Sequence, residues 1–337
     1  NDCNGMIDDG VTGIGMACNT GQPGVCATGT NACVNGAITC VPTTMPSAEA
    51  CDNLDNDCNG LVDDRNPGGG VMCGAAVGNC TTQTACVNGA IICRGTFVGP
   101  TGIGSPTNPG TQMQPLSTIA AAQANAAIIG NGADVCVCDA PTAGASIYSE
   151  DVTMVEGISV LGAFNCTDWS RMVGTYVTTI QDTTATGVKF PAGITAATAL
   201  DGMTVLGIGG NNTPASAAIT VTDSSPTLNL VTANGGQALT SIGLNVIANV
   251  GAMASPTVTG GTYAAIAAGT NSTQTAMSLN NATATIANAT INGSPSTGAG
   301  APTTSVGLRC TDCGATTITG GTIAGVMATT TVAGLWA

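Results

Sequence analysis

Histidine is missing from this chain of 337 residues, which removes the commonest general base and the commonest transition-metal ligand together. Charge is scarce as well, with 7% of residues charged and a formal net charge of −14. Five Lys and Arg residues cannot build the basic face that nucleic acid requires, so that class of partner is excluded. Aromatic residues make up only 2%. Long apolar runs are absent too. Thr, Asn, Ser and Gly interrupt each of them well short of the ~20 residues of a membrane-spanning helix, so no membrane span is expected. From Ser224 to Leu308 there is no Asp, Glu, Lys or Arg at all. A surface so weakly charged offers little repulsion between copies, and self-association is expected.

Glycine, alanine, threonine and cysteine take the place of what is missing. Of the 16 cysteines, eleven precede residue 94, the pattern of an oxidised framework in a secreted chain. No signal peptide opens the sequence, and an opening inside a motif implies processing or further residues upstream; the product is expected to be exported and mature. An extracellular or cell-surface location is therefore expected.

The chain divides into unlike parts: a disulfide-rich repeat region over 1–95, a Gly/Pro/Thr-rich linker over 96–114, and a β-rich domain over 115–337. In the first part, Cys18–Cys40 aligns with Cys73–Cys93, and both contain Ala-Cys-Val-Asn-Gly-Ala-Ile. The Asn-Gly pairs at 35–36 and 88–89 lie between short apolar runs and predict tight hairpin turns. Hairpin neighbours Cys33/Cys40 and Cys86/Cys93 are expected as disulfides, with Cys18/Cys26, Cys73/Cys80 and Cys51/Cys58 as the other local pairs. Farther on, Cys136 or Cys138 is expected to join Cys166, and Cys310 to join Cys313.

Ahead of the second cysteine set, Asp55-Asn-Asp-Cys-Asn-Gly-Leu-Val-Asp-Asp64 puts oxygen donors at alternate positions, with a glycine where the loop must turn sharply. A hard cation such as Ca²⁺ takes six to eight oxygen ligands, and such a loop supplies them. Asn1-Asp-Cys-Asn-Gly-Met-Ile-Asp-Asp9 repeats Asn56–Asp64 with two differences, which makes Asp2, Asn4, Met6, Asp8 and Asp9 a second, shortened set. Its missing donor would come from upstream or from a neighbouring subunit.

Past the linker, Pro115–Ile129 predicts a helix capped by Ser117 and stopped by Gly130-Asn-Gly132. Short β-branched runs follow. Thr227-Leu-Asn-Leu-Val, Thr257-Val-Thr-Gly-Gly, Thr285-Ile-Ala-Asn-Ala and Thr317-Ile-Thr-Gly-Gly recur every 28 to 32 residues. Ser241-Ile-Gly-Leu244, Ser305-Val-Gly-Leu308 and Val332-Ala-Gly-Leu335 are interleaved, with Ala276-Met-Ser-Leu279 as a weaker copy. Repeats of this kind cannot bury their apolar faces alone and must stack. The fold expected is all-β: a right-handed parallel β-helix with a short N-terminal capping helix.

Two resemblances bear on these segments. The loop Cys51–Asp64 resembles the metal-binding motif of MopE-like proteins and the calcium loops of thrombospondin type 3 repeats. That resemblance implies Asp55, Asp57, Asn59, the Leu61 carbonyl and Asp63 or Asp64 as Ca²⁺ ligands, with Asp52 assisting. MopE is also associated with copper, against which the lack of histidine argues. The stretch Gln114–Arg171 resembles the start of pectate-lyase-like bacterial β-helix proteins, where the helix caps the first coil.

A lyase would need carboxylates and a basic residue clustered on one solenoid face. Asp134, Asp139, Glu150, Asp151, Glu156, Asp168, Asp182, Asp201, Asp223 and Asp312, with Arg171, Lys189 and Arg309, are scattered instead, and no enzyme is expected. Cys310-Thr-Asp-Cys313 reads as a small structural disulfide, and Trp169 and Trp336 as packing anchors. The pattern also stops at Val332–Ala337 with no closing helix, an edge that another copy is expected to cover. The function expected is a secreted structural protein that polymerises into a filament or surface layer. An adhesin or glycan-binding module is the alternative, and a lyase-like enzyme the third.

Overall fold

A computed structural model describes residues 12–74, 76–130, 132–140, 146–208, 213–267, 272–293, 304–324 and 326–328. Two compact units form, one from residues 1–73 with 83–94 and the other from 74–82 with 95–337.

The smaller unit has almost no apolar core. Among its described residues only Cys26 and Ala85 are buried hydrophobics. Its regular structure is a small antiparallel sheet, in which Thr28–Val34 pairs with Ala17–Asn19 on one side and Ala37–Pro42 on the other. The Asn-Gly signal marks its hairpin correctly: Val34 faces Ala37 across the turn, and Asn35 and Gly36 both take positive φ, 51° and 81°. Asn88 and Gly89 do the same, at 48° and 73°.

Disulfides hold this unit, but not the expected ones. The bonds are Cys18–Cys40, Cys26–Cys58, Cys51–Cys86 and Cys73–Cys93. The hairpin register explains one correction, since Cys33 faces Ile38 and Cys40 faces Asn31. Cys33 and Cys40 are therefore not opposed. Spacing along the chain favoured local pairs, whereas folding brings together cysteines 20 to 35 residues apart.

The larger unit is a parallel β-solenoid. Its first sheet stacks Phe97–Val98, Val135–Asp139, Val160–Asn165, Ala199–Asp201, Thr227–Asn229, Thr257–Thr259, Thr285–Ala287 and Thr317–Thr319. The second runs from Ser146–Ser149 to Thr322–Ala324 and the third from Val152–Thr153 to Val326–Ala328, with seven strands each. Each coil adds one strand to each sheet. The Thr-initiated repeat proves to be the structural one, because Thr227, Thr257, Thr285 and Thr317 are successive register partners. So are the residues after them: Leu228, Val258, Ile286 and Ile318 point inward and stack as one apolar column. Like side chains on successive rungs pack at the strand spacing, and fully burying each aliphatic one contributes about 1.5–3 kcal/mol.

The interleaved repeat needs a shift. Leu244 aligns with Met277, not Leu279, and then with Leu308. A slip of two residues preserves which face is buried, so the pattern alone could not detect it. Val332–Leu335 lies outside the described residues.

The helix forms as Ile119–Ile129, capped by Thr118 rather than Ser117. The Thr118 hydroxyl accepts from the Ala121 amide, and Gly130 ends the helix at φ 67°. Ile119, Ala122, Ala126 and Ile129 share one helix face and join Val98, Val135 and Val152 in the core, sealing the apolar end of the first coil. Glu150 accepts from the Ile119 and Ala120 amides at 2.8 and 3.3 Å, placing an acid at the positive helix end. Its burial there pushes its carboxyl above the usual range, against those two amides.

Val135–Asp139 is apolar on both faces for different reasons. Val135 and Val137 enter the solenoid core, whereas Cys136 and Cys138 turn outward beneath Phe97, Phe164 and Trp169. Trp169 is buried, meets Phe97 edge-on at 4.6 Å and donates to the Gln112 carbonyl, as a packing anchor should. Trp336 lies outside the described residues. Cys136 bonds Cys80 and Cys138 bonds Cys166, the latter joining adjacent coils as expected. Cys310 and Cys313 are also bonded.

One core position is imperfect. Tyr263 is fully buried and its hydroxyl has no hydrogen-bond partner among the described residues, a cost of about 1–3 kcal/mol. Tyr263→Phe should therefore raise the midpoint of solenoid unfolding in denaturant, and a lowered midpoint would contradict this packing.

Candidate metal centre

Local chemistry folds the acidic loop. Asp52, Asp57 and Asn59 each accept, through a side-chain oxygen, the amide two residues ahead, at Leu54, Asn59 and Leu61. Such turns are what short Asx side chains favour. Gly60 at φ 94° makes the sharp bend. Bonds Cys26–Cys58 and Cys51–Cys86 anchor the loop at two points. The turn at Gly24 packs directly on Asp55, where a Cβ would lie 2.1 Å from the Asp55 carbonyl oxygen, and Val25 donates to that oxygen at 3.1 Å.

This folding gathers some of the expected donors. Asp55 is buried, and its two oxygens accept the Asn59 and Gly60 amides at 3.1 and 2.9 Å. The Asn59 side-chain amide bridges Asp57 and Asp64 at 3.1 and 3.2 Å. Asp55, Asp57, Asn59 and Asp64 thus face one small volume. Asp52 and Asp63 are used otherwise: Asp63 reaches back to the start of the loop and accepts the Asp52 and Asn53 amides, while Asp52 accepts locally from Leu54 and the Asn56 side chain. Leu61 contributes its amide to Asn59. Asp2, Asn4, Met6, Asp8 and Asp9 lie outside the described residues.

The pattern missed Glu49. Its carboxylate oxygens come within 4.8 Å of those of Asp55 and Asp57. One of them accepts the Asn56 and Asp57 amides at 2.7 and 2.8 Å, while the other is buried with no donor among the described residues. Asp64 likewise keeps one oxygen buried without a donor. The available signal was that Glu49 is the only glutamate before residue 150. Four carboxylates converge here, and among the described residues the cation beside them is Arg65, 79% exposed and 3.7 Å from Asp57 and Asp64. Unshared acceptor oxygens amid like charge are the donor set a hard cation takes. Cys51, Asp63 and Cys86 also lie close together, but the two sulfurs are bonded to each other and offer no thiolate.

Most of the solenoid's ionisable groups lie apart, although Asp151, Asp182 and Lys189 are close enough to feel one another's charge. Asp134 accepts the Ser159 amide, and Asp139 accepts those of Ser146 and Val177. Asp151 holds Thr183 and Thr184, Glu156 holds Thr195 and Thr198, and Asp223 holds Asn249. Asp168 closes a turn onto Ser170, and Asp201 pairs with Arg171 at 2.7 Å. Arg171 also lies over the Phe164 ring. Lys189 is exposed, Arg309 sits opposite Ser278, and Asp312 takes positive φ in a turn. Most of these carboxylates tie a backbone amide of a neighbouring coil or turn, the use a solenoid has for short acids at its corners.

Asp182 differs, being fully buried with one oxygen on the Ile208 amide and the other without a donor. Burial raises its carboxyl above the usual range, opposed by the Ile208 amide and reinforced by Asp151. A raised folded-state pKa gives stability that is present at low pH and lost as pH rises through that value. Asp182→Asn, which keeps the acceptor for Ile208, should therefore be more stable than the parent at neutral pH, with the gap closing below the normal carboxylate range. Thermal unfolding against pH measures this, and a gap that widens on acidification would contradict it.

No family model matches the chain, and no curated protein or solved structure matches it either. Seven disulfides among the described residues belong to a protein that matures in an oxidising compartment. No described helix is long and apolar enough to cross a membrane.

Proposed function

We propose that the chain is a non-catalytic structural protein of the cell exterior, a β-solenoid with a separate calcium- and disulfide-stapled unit, the head, which associates with copies of itself into filaments or layers. The observation that carries this reading is how the acids are used. Solenoid carboxylates brace coils, and the surface carries no charge over 224–308, where exposed Leu230, Leu239, Val250 and Met253 stand among threonine and asparagine. Neutral, regular surfaces of this kind associate readily.

Calcium belongs to the head in this reading. Glu49, Asp55, Asp57, Asn59 and Asp64 would hold it, and its charge would offset the four carboxylates. Its role is structural, because a unit with so little apolar burial needs another source of stability. Saturating Ca²⁺ at 100 times its Kd would add about 2.7 kcal/mol to the head.

Electron microscopy and sedimentation of the purified chain, in Ca²⁺ and after chelation, test both parts. Ordered polymers in Ca²⁺ support association, and a monomer at high concentration in Ca²⁺ overturns it. Chelation should lower the head's unfolding temperature while leaving the solenoid transition in place. An unchanged head would remove calcium from the reading.

A further inference from the structure

Threonines run in unbroken columns up two faces of the solenoid. In the first sheet Thr227, Thr257, Thr285 and Thr317 are successive register partners. In the second, Thr179, Thr204, Thr232, Thr262, Thr290 and Thr322 are. Strand alternation turns the first column outward, since Leu228, Val258, Ile286 and Ile318, one residue on, fill the core. Two residues along the same strands, Asn229, Thr259, Ala287 and Thr319 form a parallel outward column.

The result is a two-dimensional array. Its rows repeat about 4.8 Å along the solenoid axis and roughly 6.6 Å along each strand. Threonine is stiff at χ1, so each hydroxyl and methyl is held by the backbone beneath it. No charged side chain from 224 to 308 disturbs the array with a hydration shell of its own.

What such a face fits is a rigid, uncharged lattice that both donates and accepts hydrogen bonds at a similar two-dimensional repeat. Water in the surface layers of ice has that character. A neutral face matches a neutral lattice, methyls fill the hollows between water rings, and hydroxyls join the lattice, that of Thr227 as an acceptor because it already donates to the Ala196 carbonyl at 3.1 Å. Little ordering is lost on binding, because the array is preorganised. Crystalline polysaccharide fits less well, since sugar rings are gripped by stacked aromatics and the outward columns contain none. We infer that the outward threonine face of the first sheet, from Thr227 to Thr319, binds ice.

This inference depends neither on the calcium site nor on self-association. The test uses the full chain as a dilute monomer in Ca²⁺. Freezing-point hysteresis and crystal shape are measured by cryoscopy, and partitioning into a growing ice front is followed alongside. Faceted crystals, a hysteresis beyond that of an inert protein at equal concentration, and enrichment in ice are expected. Thr285→Tyr with Thr317→Tyr should abolish all three while circular dichroism stays unchanged, and Asn245→Tyr on the third sheet should not. A parent chain excluded from ice overturns the inference whatever the variants do. Hysteresis retained in a folded double-tyrosine variant overturns this face. Binding to cellulose or chitin without ice binding replaces ice with a polysaccharide.

Discussion

Replacing Cys26 and Cys58 together by serine should unfold residues 12–73 while leaving the solenoid folded. The bond spans 32 residues of sequence, and closing a loop of that size in the unfolded chain is worth about 4 kcal/mol. Little else in the head could absorb the loss, since Cys26 and Ala85 are its only described buried hydrophobics. The same bond presses the Gly24–Val25 turn onto Asp55, so its loss also releases the most buried acid of the loop. Hydrogen exchange resolved by segment gives the readout. Head amides should lose protection and weaken in their Ca²⁺ dependence, while amides of 135–324 keep theirs. A head that stays protected would mean that its three other disulfides suffice to hold it without this one.

The second large effect lies at the middle of the solenoid. Leu228→Ala should destabilise it by about 2–5 kcal/mol, the cost of a buried cavity that neighbours cannot fill. Leu228 is fully buried between Leu200 and Val258 in a column held at strand spacing. Rungs cannot close up around a gap without breaking hydrogen bonds on both sides. The loss should appear as a lower midpoint in guanidinium and as exchange spreading from 199–259 to both neighbours, because each coil is supported only by those beside it. Full tolerance of the substitution would place Leu228 outside the core.

Much of the solenoid was legible as sequence. A Thr-apolar dipeptide recurring every 28 to 32 residues has no use except in stacked coils, and the register follows it residue for residue. Asn35-Gly36 was equally direct, because positive φ at two successive residues is a local demand. The slip at Met277 was not legible, since a two-residue shift leaves both faces unchanged. Thr118 replaced Ser117 as the cap for a related reason: neighbouring hydroxyls offer the same chemistry, and only the path of Leu116, bonded to Phe97, decides between them.

The acidic loop divides along the same line. Alternate oxygen donors and Gly60 are written in the chain, and the short-range Asx turns they form need no partner elsewhere. Glu49 entered because the chain folds back on itself within the same stretch, to the Asn56 and Asp57 amides, whereas the burial of Asp55 under Gly24 and every crosslink of the head came from tertiary folding. By itself, then, the sequence determined what depends on period and local backbone preference: the stacked coils, the hairpin turns and the run of donors. Which cysteines meet and which carboxylates are spent bracing a neighbouring coil depend on distances between segments remote in sequence. In the solenoid those distances are set when the apolar columns pack, and in the head, with its little apolar burial, when the loops and their crosslinks close.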